Sequence, residues 1–124
     1  MSENTPDSNS PWQRVKTQYL YPDGDVIDIF INTSSLESVI VSDLAETMRW
    51  LTMQCDGDHR MSNSRKTIDD LCKNENITFS QGMLSITHSF FLDPSPYVDK
   101  LAQAIQEISA KATYGTYPDM ENPL

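Results

Sequence analysis

The chain has 124 residues, of which 38% are hydrophobic and 22% are charged. That length predicts one domain with a true core, and the apolar content argues against wholesale disorder. Eighteen Asp and Glu residues oppose nine Lys and Arg residues, giving a net charge of −9. Such a charge disfavours direct contact with nucleic-acid phosphates and with anionic membranes. Basic protein surfaces and small molecules remain as natural partners.

The two ends of the chain differ in composition from its middle. Residues 1–11 are rich in Ser, Asn and Pro, which predicts a disordered leader and not a signal peptide. Residues 12–112 are predicted to form one domain, and residues 113–124 a loose tail. No apolar run approaches the ~20 residues that span a bilayer. With two cysteines in the whole chain, we expect a cytoplasmic protein with reduced thiols.

The first half of the domain predicts three strands. Residues 14–21 and 26–31 are rich in β-branched and aromatic residues, and they flank the turn Pro22-Asp23-Gly24-Asp25, so we expect a hairpin. A short third strand is expected at residues 38–41. Strand alternation divides the second strand into a core face and a second face, and these contain, respectively, Ile27, Ile29, Ile31 and Val26, Asp28, Phe30.

A helix is predicted next, with Asp43 as its N-cap and Glu46 completing a capping-box arrangement. A spacing of about 100° per residue places one stripe toward the core, formed by Leu44, Met48, Leu51 and Cys55. Trp50 lies well off this stripe and Met53 almost opposite it. Two large apolar side chains on an outward face suggest that a partner covers them, or else the leader or the next helix.

The second half of the domain predicts two helices and a second hairpin. Ser62-Asn63-Ser64 suits a helix start, and this helix is expected to end near Asn74. Gln81-Gly82 is expected to turn a hairpin, and the last helix begins near Pro96, with Asp93 or Ser95 as its cap. The order βββααββα predicts an α+β two-layer sandwich with a mostly antiparallel five-stranded sheet.

Two residue sets bear on metal binding. Converging carboxylates from Asp23, Asp25, Asp28 and Asp43 could bind Mg²⁺ or Ca²⁺ and support a metal-dependent hydrolase, although turn formation and capping explain the same residues. Cys55, His59, Cys72 and His88 have zinc-ligand chemistry but lack the close pairs of structural zinc sites. His88 follows a strand and is expected to be exposed. We therefore predict no metal and no cofactor.

No catalytic motif stands out either, since no Gly-rich phosphate loop and no nucleophile elbow occurs in the sequence. A small basic patch, formed by Arg60, Arg65 and Lys66, could bind an anion, and a solvated helix start explains it equally well. We therefore expect a protein that is not an enzyme.

The surface acids and the off-stripe apolar residues are the best candidates for a binding surface. Carboxylates spaced over a rigid surface can imitate phosphates and speed association with a basic partner. Apolar side chains can anchor such a contact. The predicted partner-binding residues are Asp23, Asp25, Trp50, Met53, Asp56, Asp58, Asp69 and Asp70.

The segment from about Val15 to Leu51 resembles a known family, the bacterial and phage family called domain of unknown function 1828. The resemblance rests on the run from Tyr21 to Ile31, YPDGDVIDIFI, and on the run from Val41 to Thr47, VSDLAET, followed by Leu51. In the family pattern Leu-Thr stands where this chain has Val-Ser, and glycine where it has Ala45. The resemblance implies an α+β domain of prokaryotic or viral origin, often in mobile elements, and assigns no catalytic residue.

The leading hypothesis is a non-enzymatic protein that binds and inhibits or modulates another macromolecular complex through a basic, nucleic-acid-handling surface. A narrower hypothesis is a phage or mobile-element anti-defence protein that mimics nucleic acid, as an anti-CRISPR protein could. The alternatives are the metal-dependent hydrolase and a regulatory subunit that forms homodimers through the face of Trp50.

Overall fold

The computed structural model describes residues 10–54 and 59–114, with side chains described for all of these except residues 59–64 and 114. Five strands form one antiparallel sheet in the order β1-β2-β3-β5-β4. The strands are β1 (Trp12–Leu20), β2 (Val26–Asn32), β3 (Ser38–Ser42), β4 (Thr78–Ser80) and β5 (Met83–Ser89). The predicted element order and α+β class are confirmed.

Three helices complete the fold, namely α1 (Glu46–Gln54), α2 (His59–Glu75) and α3 (Ser95–Tyr114). Three of their boundaries differ from the prediction. Helix α1 starts at Glu46 and not directly after Asp43, and the start of α2 and the end of α3 also differ. Helix α2 already includes His59, so the run 62–64, predicted as a cap, lies inside it. Capping residues cost little within a helix, so their presence does not fix where it starts. Helix α3 continues to Tyr114, two residues into the predicted tail, while residues 1–9 and 115–124 lie outside the described residues.

The core lies between one face of the sheet and helix α3. Ile27 and Ile29 are fully buried, as alternation predicts, and Ile31 is half-buried. Helix α3 contributes side chains at helical spacing, which are Val98, Leu101, Ala102, Ile105 and Ile108, all buried. Asp93 accepts a hydrogen bond from the amide of Ser95 at 3.0 Å, which confirms Asp93 as the residue that caps the first turn of this helix.

The second face of the sheet is more open. Directly paired residues share a face, so the pairing of Arg14 with Phe30 and of Lys16 with Asp28 puts these four side chains on it. They are half-buried or exposed. At the end of the sheet where the β1–β2 turn and α1 lie (the turn end), α1 borders this face. At the opposite end (the loop end), the β2–β3 loop meets the β5–α3 loop, because the amide of Phe90 donates to the carbonyl of Glu37 at 3.3 Å.

Candidate functional site

The site begins with the β1–β2 turn, which forms as its sequence predicts. Gly24 has a φ of 95°, a value that glycine adopts without strain. The amide of Gly24 donates to the carbonyl of Tyr21 at 2.9 Å. One oxygen of Asp23, Oδ1, accepts the amide of Asp25 at 3.1 Å. Asp23 thus uses one carboxylate oxygen to hold the turn, and the other stays available for a second contact.

Trp50 makes that second contact. Its ring stacks on Tyr21 with a centroid separation of 4.9 Å and an interplanar angle of 10°, and its Nε1 donates to Asp23 Oδ2 at 3.1 Å. The side chain is only 8% exposed. The outward position that helical spacing assigns to Trp50 is therefore not an exposed one, because the turn folds over it. The β1–β2 turn is a cover that was not among those considered from the sequence.

Asp43 connects the sheet to helix α1 in a way that capping rules did not predict. Helix α1 starts at Glu46, after Leu44 and Ala45, whose φ values are 49° and 68°. Asp43 Oδ1 accepts the amides of Ala45 and Leu84, each at 2.9 Å, and Oδ2 accepts that of Thr47 at 3.2 Å.

Asp43 therefore does not form the predicted capping box. Glu46 does not complete it, because the Glu46 carboxylate instead pairs with Arg49 at 2.7 Å. The side chain of Asp43 is fully buried. Burial raises the pKa of Asp43 above its ordinary value, while the three donated amide hydrogen bonds act in the opposite direction. Asp43 is a structural residue that ties β5 to the start of α1.

Tyr21 lies between these two structural contacts. Burial is the main cause that raises the pKa of Tyr21 to about 12; the Thr47 hydroxyl acts against this increase, and the nearby carboxylates of Asp43, Glu46 and Asp28 add smaller contributions to it. A phenol surrounded by acids stays neutral at any physiological pH. Tyr21 therefore offers the turn end a stacking surface and not an ionisable group.

A cleft of about 430 Å³ opens between the turn, the second face of the sheet and helix α1. We call it the acidic cleft. Its carboxylates come from Asp23, Asp25, Asp28 and Glu46, against two cations, Lys16 and Arg49. Asp28 shows an unmet hydrogen-bonding capacity: Oδ2 lies 3.7 Å from Arg14 Nε, whereas the buried Oδ1 has no hydrogen-bond partner among the described residues.

Apolar side chains border the acidic cleft. Met53 is 75% exposed and lines it, as does Val26, which is 44% exposed. Leu20 pairs with Val26 across the hairpin and is also exposed. An apolar rim beside unmatched carboxylates is the composition that a basic protein segment with apolar neighbours would fit. Of the predicted binding residues, the structure thus brings together Asp23, Asp25, Met53 and Trp50, of which Trp50 is buried.

The other predicted acids do not join them. Asp69 and Asp70 are exposed on helix α2, and Asp69 shares a surface depression with Phe79 of β4, at the opposite edge of the sheet from β1. Asp56 and Asp58 lie outside the described residues. A single continuous acidic surface through all the predicted carboxylates is therefore not what the described part of the chain forms.

The structure does not bring the four carboxylates of the proposed hydrolase site together. Among the residues whose side chains the structure describes, no group of three or more His, Cys, Asp or Glu is placed to hold a metal ion. Asp23, Asp25 and Asp28 do line one cleft, but Asp43 does not line it and spends both oxygens on backbone amides.

Of the four potential zinc ligands, only Cys72 and His88 have side chains among the described residues. Cys72 is a half-buried free thiol, and Cys55 and the side chain of His59 lie outside the described residues. His88 is 8% exposed, not exposed as expected, because strand β5 continues to Ser89 and Tyr97 stacks on the imidazole at 4.2 Å. Of the basic patch, Arg65 and Lys66 are exposed, and the side chain of Arg60 lies outside the described part.

A second group of exposed side chains was not predicted. At the loop end, four large apolar residues are exposed: Leu36 by 82%, Phe90 by 37%, Phe91 by 87% and Leu92 by 49%. The rings of Phe90 and Phe91 meet edge to face at 5.7 Å. We call these four residues the apolar loop cluster. Three consecutive apolar residues in a loop are a sequence signal that could have identified it.

Comparisons with known proteins place the chain in a family. Among the described residues, none of the helices is both long and apolar enough to cross a bilayer. No curated protein and no solved structure matches the chain. The model of the family described as "Domain of unknown function DUF1828" matches residues 17–110, which is more than half of the chain and extends well beyond the runs that carry the resemblance. The chain therefore belongs to the DUF1828 family.

Proposed function

We propose that this chain is a small, acidic, non-enzymatic protein that binds another macromolecular complex and inhibits or modulates it. The acidic cleft is its binding surface, and the partner is a basic protein surface that handles nucleic acid. The observation that carries the proposal is Asp28, whose buried Oδ1 has no hydrogen-bond partner among the described residues. A buried acceptor without a donor is costly to the free protein. Because the Asp28 side chain as a whole is 26% exposed and its ion pair with Arg14 is 3.7 Å long, a rotation of the carboxylate would let it accept an Arg or Lys side chain of a partner.

Electrostatics supports the same partner chemistry. The cleft is lined by four carboxylates and only two cations, so it has an excess of negative charge. The whole chain also has a net charge of −9. A negative cleft attracts a basic surface before contact and speeds association at low ionic strength. The exposed Met53 and Val26 beside the cleft would give such a contact apolar area.

A narrower role within this class is an anti-defence protein of a phage or mobile element, which occupies the nucleic-acid-binding surface of a host complex in the manner of an anti-CRISPR protein. The support for it is the prokaryotic or viral origin implied by the family resemblance, together with carboxylates that can stand in for phosphates. Such a protein would act in the cytoplasm of the host cell.

The alternatives have less support from the geometry. A hydrolase that uses the four aspartates needs Asp43, whose carboxylate is buried and accepts three backbone amides. Self-association through the face of Trp50 loses its principal residue, because Trp50 is stacked within its own fold.

The test is an affinity pulldown from a prokaryotic lysate at low and high salt, with mass spectrometry of the retained proteins. We expect a basic, nucleic-acid-handling complex that is retained at about 50 mM salt and lost at about 500 mM. The double variant Asp25→Asn/Asp28→Asn should lose it. The matched control, Asp69→Asn/Asp70→Asn, removes the same charge from helix α2, outside the cleft, and should keep the complex. Equal losses with both variants would mean that net charge, and not the cleft, drives the binding.

A further inference from the structure

Strand β1 has one edge that no other described strand covers, because it is the first strand in the sheet order. Such an edge presents backbone amides and carbonyls that can pair with an added strand. Regular pairing with β2 runs from Trp12 to Lys16 and shifts register before Leu20. The straight part of the edge therefore suits a short segment of about five residues, which would span about 17 Å.

A groove accompanies this edge. It has a volume of about 340 Å³ and lies between β1 and the first turns of helix α3. Its apolar lining consists of Val15, Ile31 and Val98, while Ser95 and Asp99 line it from the helix. Val15 and Ile31 are half-buried and Val98 is 6% exposed. The groove thus offers an incompletely covered apolar floor directly beside unpaired backbone.

The charges of β1 differ in sign from those of the protein as a whole. Arg14 and Lys16 are both exposed, and no acidic residue occurs between positions 12 and 20. Both cations share one carboxylate: Asp28 lies 3.7 Å from Arg14 Nε and is the cross-strand neighbour of Lys16. Lys16 makes no ion pair with the described residues, so this strand keeps a positive charge that its neighbours do not neutralise.

We propose that β1 and the groove beside it bind an extended segment of a partner protein in which acidic and apolar side chains alternate. Successive side chains of an added strand point to opposite faces of the sheet. Those on the core side would enter the groove toward Val15, Ile31 and Val98. Those on the open side would lie beside Arg14 and Lys16, where carboxylates fit. Backbone pairing supplies the affinity of such a contact, and the alternating side chains supply its specificity.

The same charges disfavour a second copy of this chain at the edge. Two β1 strands paired antiparallel would bring Arg14 and Lys16 of one copy opposite those of the other, and facing like charges destabilise a strand pair. The acidic occupant is thus preferred to a homodimer. The groove contains none of the carboxylates of the acidic cleft, whereas Lys16 lines both surfaces. Ser95 lines the groove and not the cleft, so its variant tests this proposal independently of the proposed function.

A purified-component experiment tests the proposal. The probe is a fluorescent seven-residue peptide of sequence Glu-Val-Glu-Leu-Glu-Val-Glu, titrated with the full-length chain and followed by anisotropy and by amide chemical shifts. We expect a dissociation constant below about 1 mM, with shifts confined to β1 and the start of α3. A block-sequence peptide of the same composition should bind at least about tenfold more weakly, because only alternation serves both faces.

Variants separate the groove from the charge. Ser95→Trp should fill the groove and reduce binding about tenfold, whereas Ser80→Trp, at an exposed site on β4, should not. Lys16→Glu should weaken the binding of the acidic peptide about fivefold and strengthen the binding of the equivalent Lys-Val-Lys-Leu-Lys-Val-Lys peptide. The control Lys73→Glu makes the same change in net charge and should alter the binding of either peptide by less than about twofold. Equal binding of the alternating and block peptides, shifts mapping elsewhere, or concentration-dependent dimerisation through β1 would each overturn the proposal.

Discussion

The turn end of the sheet and the β5–α3 loop at its loop end use their aromatic residues in opposite ways. At the turn end Trp50 is 8% exposed, stacked on Tyr21 and hydrogen-bonded to Asp23. At the loop end Phe91 is 87% exposed and Leu36 82%. Trp50, which lies beside the acidic cleft, is packed into the fold, whereas Phe91 at the loop end is not. An outward position on a helix did not mean exposure for Trp50, whereas the run of three apolar residues in the β5–α3 loop is exposed.

The largest expected effect is on Trp50. Trp50→Ala should lower the free energy of unfolding by about 3–5 kcal/mol, because it removes a stacked, buried ring and leaves a cavity under the turn. Phe91→Ala, the matched change at the loop end, should alter it by less than about 0.5 kcal/mol. Urea denaturation followed by far-ultraviolet circular dichroism measures both. Similar losses for the two variants would contradict the comparison.

The second largest loss of unfolding free energy is expected at Asp43. Asp43→Ala leaves the amides of Ala45, Thr47 and Leu84 without their acceptor in a buried site, so we expect a loss of about 3 kcal/mol. Asp25→Ala removes a carboxylate from an exposed position of the neighbouring turn and should cost less than about 0.5 kcal/mol. The two unfolding midpoints would be compared at neutral pH. A small effect at Asp43 would mean that water replaces the carboxylate as acceptor.

The raised pKa of Tyr21 predicts that the free energy of unfolding depends on pH in the alkaline range. Because its pKa is raised from 10.0 to about 12, the folded state favours the neutral phenol. This contribution to stability is complete below pH 10 and is lost as pH rises from 10 toward 12. Its full size is about 2–3 kcal/mol. Tyr21→Phe should remove this alkaline loss, as measured by denaturant unfolding at a series of pH values. An unchanged slope in the variant would assign the loss to another group.

Local patterns predicted the elements of the fold well. The turn at Gly24, the alternation of Ile27 and Ile29 and the apolar spacing of α3 depend on neighbours in sequence, and all three are confirmed. The predicted start of α2 was wrong, because the run 62–64 is compatible with a helix interior as well as with a helix start.

The site was less predictable because its contacts are long-range. Trp50 is covered by a turn 27 residues earlier, and Asp43 accepts an amide 41 residues later. Helical spacing describes one helix and contains no information on either partner. His88 was misjudged for the same reason, since Tyr97 covers it only once α3 has packed on the sheet.

The central claim is that Asp28 serves a partner and not the fold. Its Oδ1 has no partner among the described residues, its one ion pair is 3.7 Å long, and three more carboxylates line the same cleft. The most direct test measures the unfolding free energy of Asp28→Asn together with the retention of the captured complex. We predict that stability stays level or rises by up to about 1 kcal/mol, while retention falls. A variant that loses more than about 1 kcal/mol and still retains the complex would contradict the account.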